Sequence, residues 1–391
     1  MYPPYQRGQP WGVVKSLGLR PLPLGKGELR TDMKILIATG IYPPDIGGPA
    51  QIALGVEEAW KRQGHEVKAL AFRFERKLPT GIRHLYYFFR VLFSLRGTDF
   101  VFSPDTFSAA LPALCAAKLF GKKLIIRTGG DFLWEQYVER TGDLVLLRNF
   151  YNNTNYEQHT KVRKETRTNR LNFKEHIIFR LVRYLFHKAD AVIFSTAWQR
   201  DIFEKPYRLY LKKCFIVENY YGPPTRSDLG AGERSDLSGR VKVFTGGVRD
   251  LKWKNIPRVQ EAFERVQQKG VPVSLELQTG SRGKFLQDIQ DSYAVILASL
   301  GDVSPNTILE AISFGKPFIL TRETGLYERL KGIGIFVNPE SVEDIAAKIE
   351  WLADEKNYEA QRRKIEAFTF THSWEEIAGE IMNIATTVRP L

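Results

Sequence analysis

A chain of 391 residues has room for two or three domains with full cores, and its two cysteines are too few for a disulfide-stapled miniprotein. With 43% hydrophobic, 12% aromatic and 26% charged residues, it is neither a disordered chain nor a collagen-like or low-complexity fibre. The 57 Lys and Arg against 44 Asp and Glu leave a net charge of +13, which favours polyanionic partners: nucleic acid, an anionic lipid surface or a diphosphate.

Residues 1–32 are rich in Pro, Gly and Arg without periodicity and are expected to form a flexible N-terminal extension. From Met33 short β-rich runs alternate with helical stretches: Lys34–Ala38, a helix Ile52–Gln63, Val67–Phe72, a helix Tyr86–Leu95, then Phe100–Ser103. Leu124–Arg127 and Ala191–Ser195 continue the series, the latter after a helix at Phe173–His187. Such alternation implies parallel strands with crossover helices, a Rossmann-like domain over 33–218. Within it, Ile52, Ala53, Val56, Ala59 and Trp60 share one helical face and read as core.

Residues 219–239 are dense in Gly, Pro, Ser and charge and read as an interdomain linker. The pattern restarts at Val241–Thr245, followed by a helix Ile256–Gln268, strands at Val273–Gln278 and Ala294–Ala298, a helix Thr307–Phe314 and a strand Phe318–Thr321. This gives a second Rossmann-like domain over 240–373, with a further helix at Val342–Ala353. A C-terminal helix within 374–391 is expected to return to the first domain. No window approaches the roughly 20 apolar residues of a membrane-spanning helix, and the amino terminus lacks a secretory layout. Cys115, in the apolar run LPALCAAKLF, and Cys214 are expected to be buried, reduced thiols, and the protein cytoplasmic.

Three stretches together resemble the family 4 retaining glycosyltransferases: IYPPDIGGPAQIALGVEEAWKRQGHEV from Ile41, TGGVRDLKWKN from Thr245, and GDVSPNTILEAISFGKPFILTRETGLYE from Gly301. The resemblance extends from Met33 to about Ala385 and implies an α/β fold of GT-B architecture, two Rossmann-like parallel-sheet domains facing a cleft. It also implies transfer of a sugar from a nucleotide-diphosphate sugar to a saccharide or lipid-linked acceptor, in cell-surface polysaccharide or glycolipid synthesis. Arg249 and Lys254 resemble the family's diphosphate-binding pair, after a strand ending at Gly247, and Glu310 its ribose-binding carboxylate. Asp302 stands eight residues before Glu310, where the family usually carries Glu; a carboxylate one methylene shorter reaches about 1.5 Å less far. Between Gln278 and Tyr293 only a short stretch replaces the family's usual additional helix and strand.

The residues read the same way as chemistry. A departing diphosphate gains charge, which cations and oriented amides stabilise. Ser304, Pro305, Asn306 and Thr307 precede an apolar helix, so Ser304, Asn306 and Thr307 are expected to present free N–H groups to an anion. Gly47 and Gly48 follow a strand and a Pro-Pro turn, where backbone approaches a ligand closely or simply turns tightly. Arg127 and Asp131 lie at a strand's carboxyl end, the usual ligand position; Asp131 orients the acceptor or receives its proton, or else caps a turn. No Asp-x-Asp or zinc-ligand spacing occurs, so no metal or other cofactor is expected.

Arg83–Arg96, RHLYYFFRVLFSLR, suits a lipid interface or a buried Rossmann helix, and Arg140–Asp190 carries 11 Lys and Arg against 5 acids. The N-terminal domain is therefore expected to dock on the cytoplasmic face of an anionic membrane. Two other functions fit less of the sequence. A noncatalytic sugar-nucleotide-binding relative would account for Asp302, and a nucleic-acid-binding protein for the +13 charge alone.

Overall fold

The computed structural model describes residues 32–45, 47–153, 171–223, 241–246, 251–277 and 282–388. The expected extension, most of the expected linker, Gly247 and Arg249 lie outside the described residues. The first domain runs β1 (Lys34–Thr39), α1 (Gly48–Arg62), β2 (Glu66–Ala71), α2 (Thr80–Ser94), β3 (Phe100–Ser103), α3 (Ala110–Leu119) and β4 (Lys123–Thr128). It continues through α4 (Phe132–Thr141), α5 (Leu147–Asn153), α6 (Phe173–Lys188), β5 (Ala191–Phe194), α7 (Ala197–Tyr207) and β6 (Cys214–Ile216). The second comprises β7 (Lys242–Thr245), α8 (Ile256–Gln268), β8 (Val273–Glu276), α9 (Arg282–Asp291), β9 (Ala294–Leu297), α10 (Asn306–Ser313) and β10 (Phe318–Thr321). After α11 (Tyr327–Leu330) and β11 (Ile335–Val337) come the helices α12 (Val342–Ala353), α13 (Glu355–Glu366) and α14 (Trp374–Thr387).

Both sheets are wholly parallel, in the orders β2-β1-β3-β4-β5-β6 and β11-β10-β9-β7-β8. Strands such as Phe100–Ser103 and Ala294–Leu297 are buried at every position, because helices cover both sheet faces. In the first domain α2, α3 and α4 to α7 pack on one face, and α1 and α14 on the other. Ile52, Ala53, Val56, Ala59 and Trp60 are all buried in the second of these layers. The stretch before Tyr293 forms α9, a helix the sequence pattern did not reveal.

One expectation fails. Cys115 is exposed and Cys214 half-buried, both as free thiols. The run around Cys115 is apolar on every side of α3, and Ala113, Leu114, Ala116 and Ala117 take the inward positions, leaving Cys115 on the outer face.

The chain crosses between domains twice, side by side. Tyr221 and His372 form an antiparallel bridge with backbone bonds of 2.9 and 3.0 Å. Beyond it Ser373 and Glu376 make a reciprocal capping box that starts α14, which lies on α1 with Trp60 Nε1 donating to Ala378 O at 3.0 Å. Gly55 makes this approach close: a Cβ there would stand 2.3 Å from Trp374 Cδ2.

The domains also meet directly. Leu300 and Val303 of the second domain enter the first domain's core, and Leu147 N donates to Leu300 O at 3.2 Å. Arg148 pairs with Glu323 at 2.7 Å, and Lys252 Nζ donates to Glu139 O at 2.7 Å. Two glycines permit the contact. A Cβ on Gly301 would lie 2.6 Å from Leu147 Cβ, and one on Gly325 would lie 2.3 Å from Thr196 Oγ1 and 2.4 Å from Val303 O.

Candidate active site

On the second-domain side of the cleft, the turn Lys252–Lys254 follows β7 and Asn255 closes it in a left-handed conformation. Asn255 is held by Nδ2 bonds to Ala298 O (2.9 Å) and Pro339 O (2.7 Å), which fixes the turn against β9. Lys254 Nζ then sits 4.2 Å over the Trp253 ring and 2.9 Å from Asp302 Oδ2. Asp302 is pinned from behind, its N donating to Glu323 O at 2.9 Å. Two residues on, the enclosed Ser304 Oγ has no hydrogen-bond partner among the described residues. Pro305 caps α10, whose first N–H groups, from Asn306 and Thr307, have no intrahelical acceptor. Glu310 is buried on the second turn of that helix.

Across the cleft, Gly47 is the extended N-cap of α1, where a Cβ would lie 2.9 Å from Ile41 Cδ1; one on Gly48 would meet nothing within 4 Å. A polar chain ties this loop to the other domain. Arg127 Nη2 donates to Val217 O (3.2 Å) and Asn219 Oδ1 (2.6 Å); Asn219 Nδ2 donates to Ser304 O (3.2 Å) and Asn306 Oδ1 (2.9 Å); Asn306 donates to Gln51 of α1. Complete burial lowers the Arg127 pKa to about 10, still cationic at neutral pH. Its guanidinium therefore braces the interdomain crossing.

Asp131 is buried at the start of α4. Its Oδ1 accepts from Leu133 N (3.0 Å) and Trp134 N (3.1 Å), and its Oδ2 accepts from the Tyr151 hydroxyl at 2.6 Å. Burial pushes its pKa up to about 6 against these hydrogen bonds. Both oxygens thus have partners within the protein, and the first domain's other acid here is Glu135, one helical turn on. A Cβ on Gly130 would lie 3.2 Å from Glu135 Oε1, so the carboxyl rests close against this glycine. Burial foremost, then the charge of Asp131, raises the Glu135 pKa to about 8, with Lys254 opposing and Asp302 adding to the effect. Glu135 thus carries its proton at neutral pH, although part of the side chain keeps contact with water.

A sign follows. Between about pH 4.5 and pH 8 the folded protein holds a proton on Glu135 that the unfolded chain releases, so this group's contribution to stability falls as pH rises. Asp131 acts in the same direction between about pH 4 and pH 6. Solvent contact trims the effect, and Glu135→Gln is expected to gain about 2 kcal/mol on wild type between mildly acidic and mildly alkaline buffer. Denaturant unfolding at the two pH values checks this; an unchanged difference refutes the shift.

Of the expected site residues the second domain thus contributes Lys254 and Asp302, which pair, and Ser304, Asn306, Thr307 and Glu310 on one turn and helix. In the first, Gly47 and Gly48 start α1, Arg127 reaches Ser304 and Asn306 through Asn219, and Asp131 is buried as a helix cap. Sequence patterns gave no notice of Glu135, Gln51 or Asn219, though Glu135 had one available signal, an acid in the first turn after a glycine pair. A cavity of about 1250 Å³ lies elsewhere, beside α13 and rimmed by Pro223 and Val241, which border a segment outside the described residues. Among the described residues no three His, Cys, Asp or Glu converge as metal ligands.

No protein-family model and no curated protein matches the sequence. Solved structures do match. Sucrose-phosphate synthase from Thermosynechococcus elongatus superposes with a TM-score of 0.61 at 11% identity, covering 91% of this chain and 98% of that one. Anabaena HepE, in complex with UDP and glucose, gives 0.58 at 12% identity, with 91% and 100% covered. A UDP-N-acetylglucosamine 2-epimerase from Listeria monocytogenes, described as putative, gives 0.54 at 11% identity, with 90% and 95% covered. These likenesses, with the two parallel sheets and the cleft between them, establish the GT-B fold.

Proposed function

We propose that the chain is a glycosyltransferase that moves a sugar from a nucleotide-diphosphate sugar to a saccharide or lipid-linked acceptor, as a family 4 member acting with retention and without a metal. The observation that carries this reading is the Lys254–Asp302 pair at 2.9 Å, with Asp302 just ahead in the chain of the free amide end of α10: a cation and N–H donors are what a diphosphate requires. The neighbour solved with UDP and glucose supports it.

In this reading the bond from the sugar's anomeric carbon to the diphosphate oxygen breaks, and a bond from the acceptor oxygen to that carbon forms on the same face. The acceptor's proton passes to the departing phosphate. Lys254, Arg249 and the amides of Asn306 and Thr307 take up the charge on the leaving group, and Glu310 accepts hydrogen bonds from the ribose diol. Asp131 holds α4 in place. Protonated Glu135 donates a hydrogen bond to a substrate oxygen and so positions rather than deprotonates. The pathway we assign is surface polysaccharide or glycolipid assembly at the cytoplasmic face of a membrane.

A thermal-shift panel of UDP, GDP, ADP and their sugars tests the donor half. One of them at 100 times its dissociation constant adds about 2.7 kcal/mol to stability. Glu310→Ala is expected to lose that shift against its own ligand-free baseline. A noncatalytic nucleotide-binding relative is the second reading, favoured by the engagement of Asp302 with Lys254. Nucleotide binding without turnover of any sugar nucleotide would select it; conversion of the nucleotide sugar with no acceptor would point to an epimerase.

A further inference from the structure

The outer surface of the first domain carries a feature the transfer chemistry leaves unused. On α2, Ile82, Leu85, Tyr86, Phe89 and Phe93 recur at intervals of three and four residues and form one ridge, each 44–80% exposed, while Tyr87 and Val91 point into the core. Phe89 and Phe93 stack at 6.4 Å, and Phe74 lies against Tyr86 at 6.0 Å. Helix α3 packs between α2 and α6 and ends in the exposed Leu119 and Phe120. On α6, Ile177 and Tyr184 are exposed in turn. A Rossmann crossover layer ordinarily turns a mixed charged face to water.

The charges on this face are of one sign. Helices α2, α3 and α6 contain seven Lys and Arg, of which Arg90 and Lys118 pair with the buried Glu75 and Asp190, and a single acid, Glu175, which is 3% exposed and bound to Arg140 at 2.7 Å. On α6, Arg180, Arg183, Tyr184, His187 and Lys188 fall at i, i+3, i+4, i+7 and i+8 and with Tyr210 line a shallow pocket of about 390 Å³. Its floor is fixed: His187 Nε2 donates to Tyr207 O (3.0 Å) and Arg208 O (2.9 Å), and the Tyr210 ring lies 4.8 Å from the imidazole.

We propose that the α2–α3–α6 face seats the protein on an anionic membrane, the α2 ridge entering the headgroup boundary and the α6 pocket receiving a lipid phosphate. This deepens the reading of a lipid-linked acceptor and rests on it for its purpose, but not for its observations. Arginine-flanked aromatic ridges match the interface between headgroups and acyl chains, and lipid phosphates supply the negative charge this face lacks. A second copy of the chain does not. A two-fold contact would lay the face against itself, arginine toward arginine, with no acid to intervene.

Cosedimentation with phosphatidylcholine vesicles, with and without phosphatidylglycerol, tests the proposal at low and high salt. Wild type is expected to pellet only with the anionic vesicles, and less at high salt. Phe89→Ser with Phe93→Ser is expected to abolish pelleting. Arg180→Ala with Lys188→Ala is expected to lower partitioning roughly thirtyfold. Both double variants alter exposed side chains and are expected to keep the wild-type nucleotide shift, which monitors their folding. Absence of wild-type pelleting, or pelleting indifferent to both variants, overturns the proposal. So does self-association in sedimentation velocity that the phenylalanine variant abolishes. Loss of the nucleotide shift in wild type with vesicle binding intact would remove the transferase reading and leave this one standing.

Discussion

Lys254→Ala is expected to lower sugar transfer about 100- to 1000-fold, the range for removing one preorganised charge donor to a developing anion. The argument is electrostatic. Lys254 is the cation that acts on Glu135 beside Asp131 and Asp302, and its ammonium is held by the Trp253 face and the Asp302 carboxylate. Without it, a diphosphate would enter a wall of carboxyl groups. The pair is mostly enclosed, so the single variant also leaves Asp302 uncompensated at a cost of about 1–3 kcal/mol. Lys254→Ala with Asp302→Ala separates the two effects: thermal stability is expected to recover in part, and transfer is not. Transfer by Lys254→Ala at the wild-type rate would remove this residue from the mechanism.

Gly325→Ala is expected to cost about 3 kcal/mol, at the upper end of overpacking penalties. The new methyl would meet Val303 O at 2.4 Å, and a backbone carbonyl cannot rotate aside as a side chain does. That carbonyl also accepts from Gly325 N at 3.1 Å, so relief on one side breaks a bond on the other. Thr196, at 2.3 Å, caps α7 and is equally fixed. Separation of the domains would relieve the Thr196 contact, while the Val303 carbonyl, in the same domain as Gly325, would still force the loop to shift. A melting temperature lower by about 5 °C and a larger radius of gyration in solution scattering are the expected readings. A variant matching wild type in both would show that this contact accommodates a methyl group and overturn the argument.

The elements that carry the two folds were readable because parallel strands are continuous apolar runs and their crossover helices keep a clean 3.6-residue period, as in Phe100–Ser103 and α1. The amide end of α10 was readable for a local reason too, since Pro305 beside small polar residues marks a helix start. What escaped has no local signal. The chain from Arg127 through Asn219 and Asn306 to Gln51 joins residues 87 to 255 positions apart, and Asn219 stood in a stretch whose composition suggested only a connection. Cys115 was misplaced because a helix whose one charged residue, Lys118, lies in its last turn does not declare which side faces inward. Glu135 was overshadowed by Asp131, whose position at a strand end drew the chemical reading, although its hydrogen bonds are those of a helix cap.

The return of α14 onto α1 bears on how the molecule is made. Ile377, Ala378, Ile381 and Met382 complete the layer that hides Trp60 and Ile52, so one face of the first domain's sheet is closed by residues that follow the whole second domain in the chain. An emerging chain that has finished β6 still has a bare greasy flank, and it keeps that flank until the ribosome has delivered the entire second lobe. Truncation before Trp374 would leave that flank permanently uncovered, which makes the tail a closing clasp for the lobe that begins the sequence.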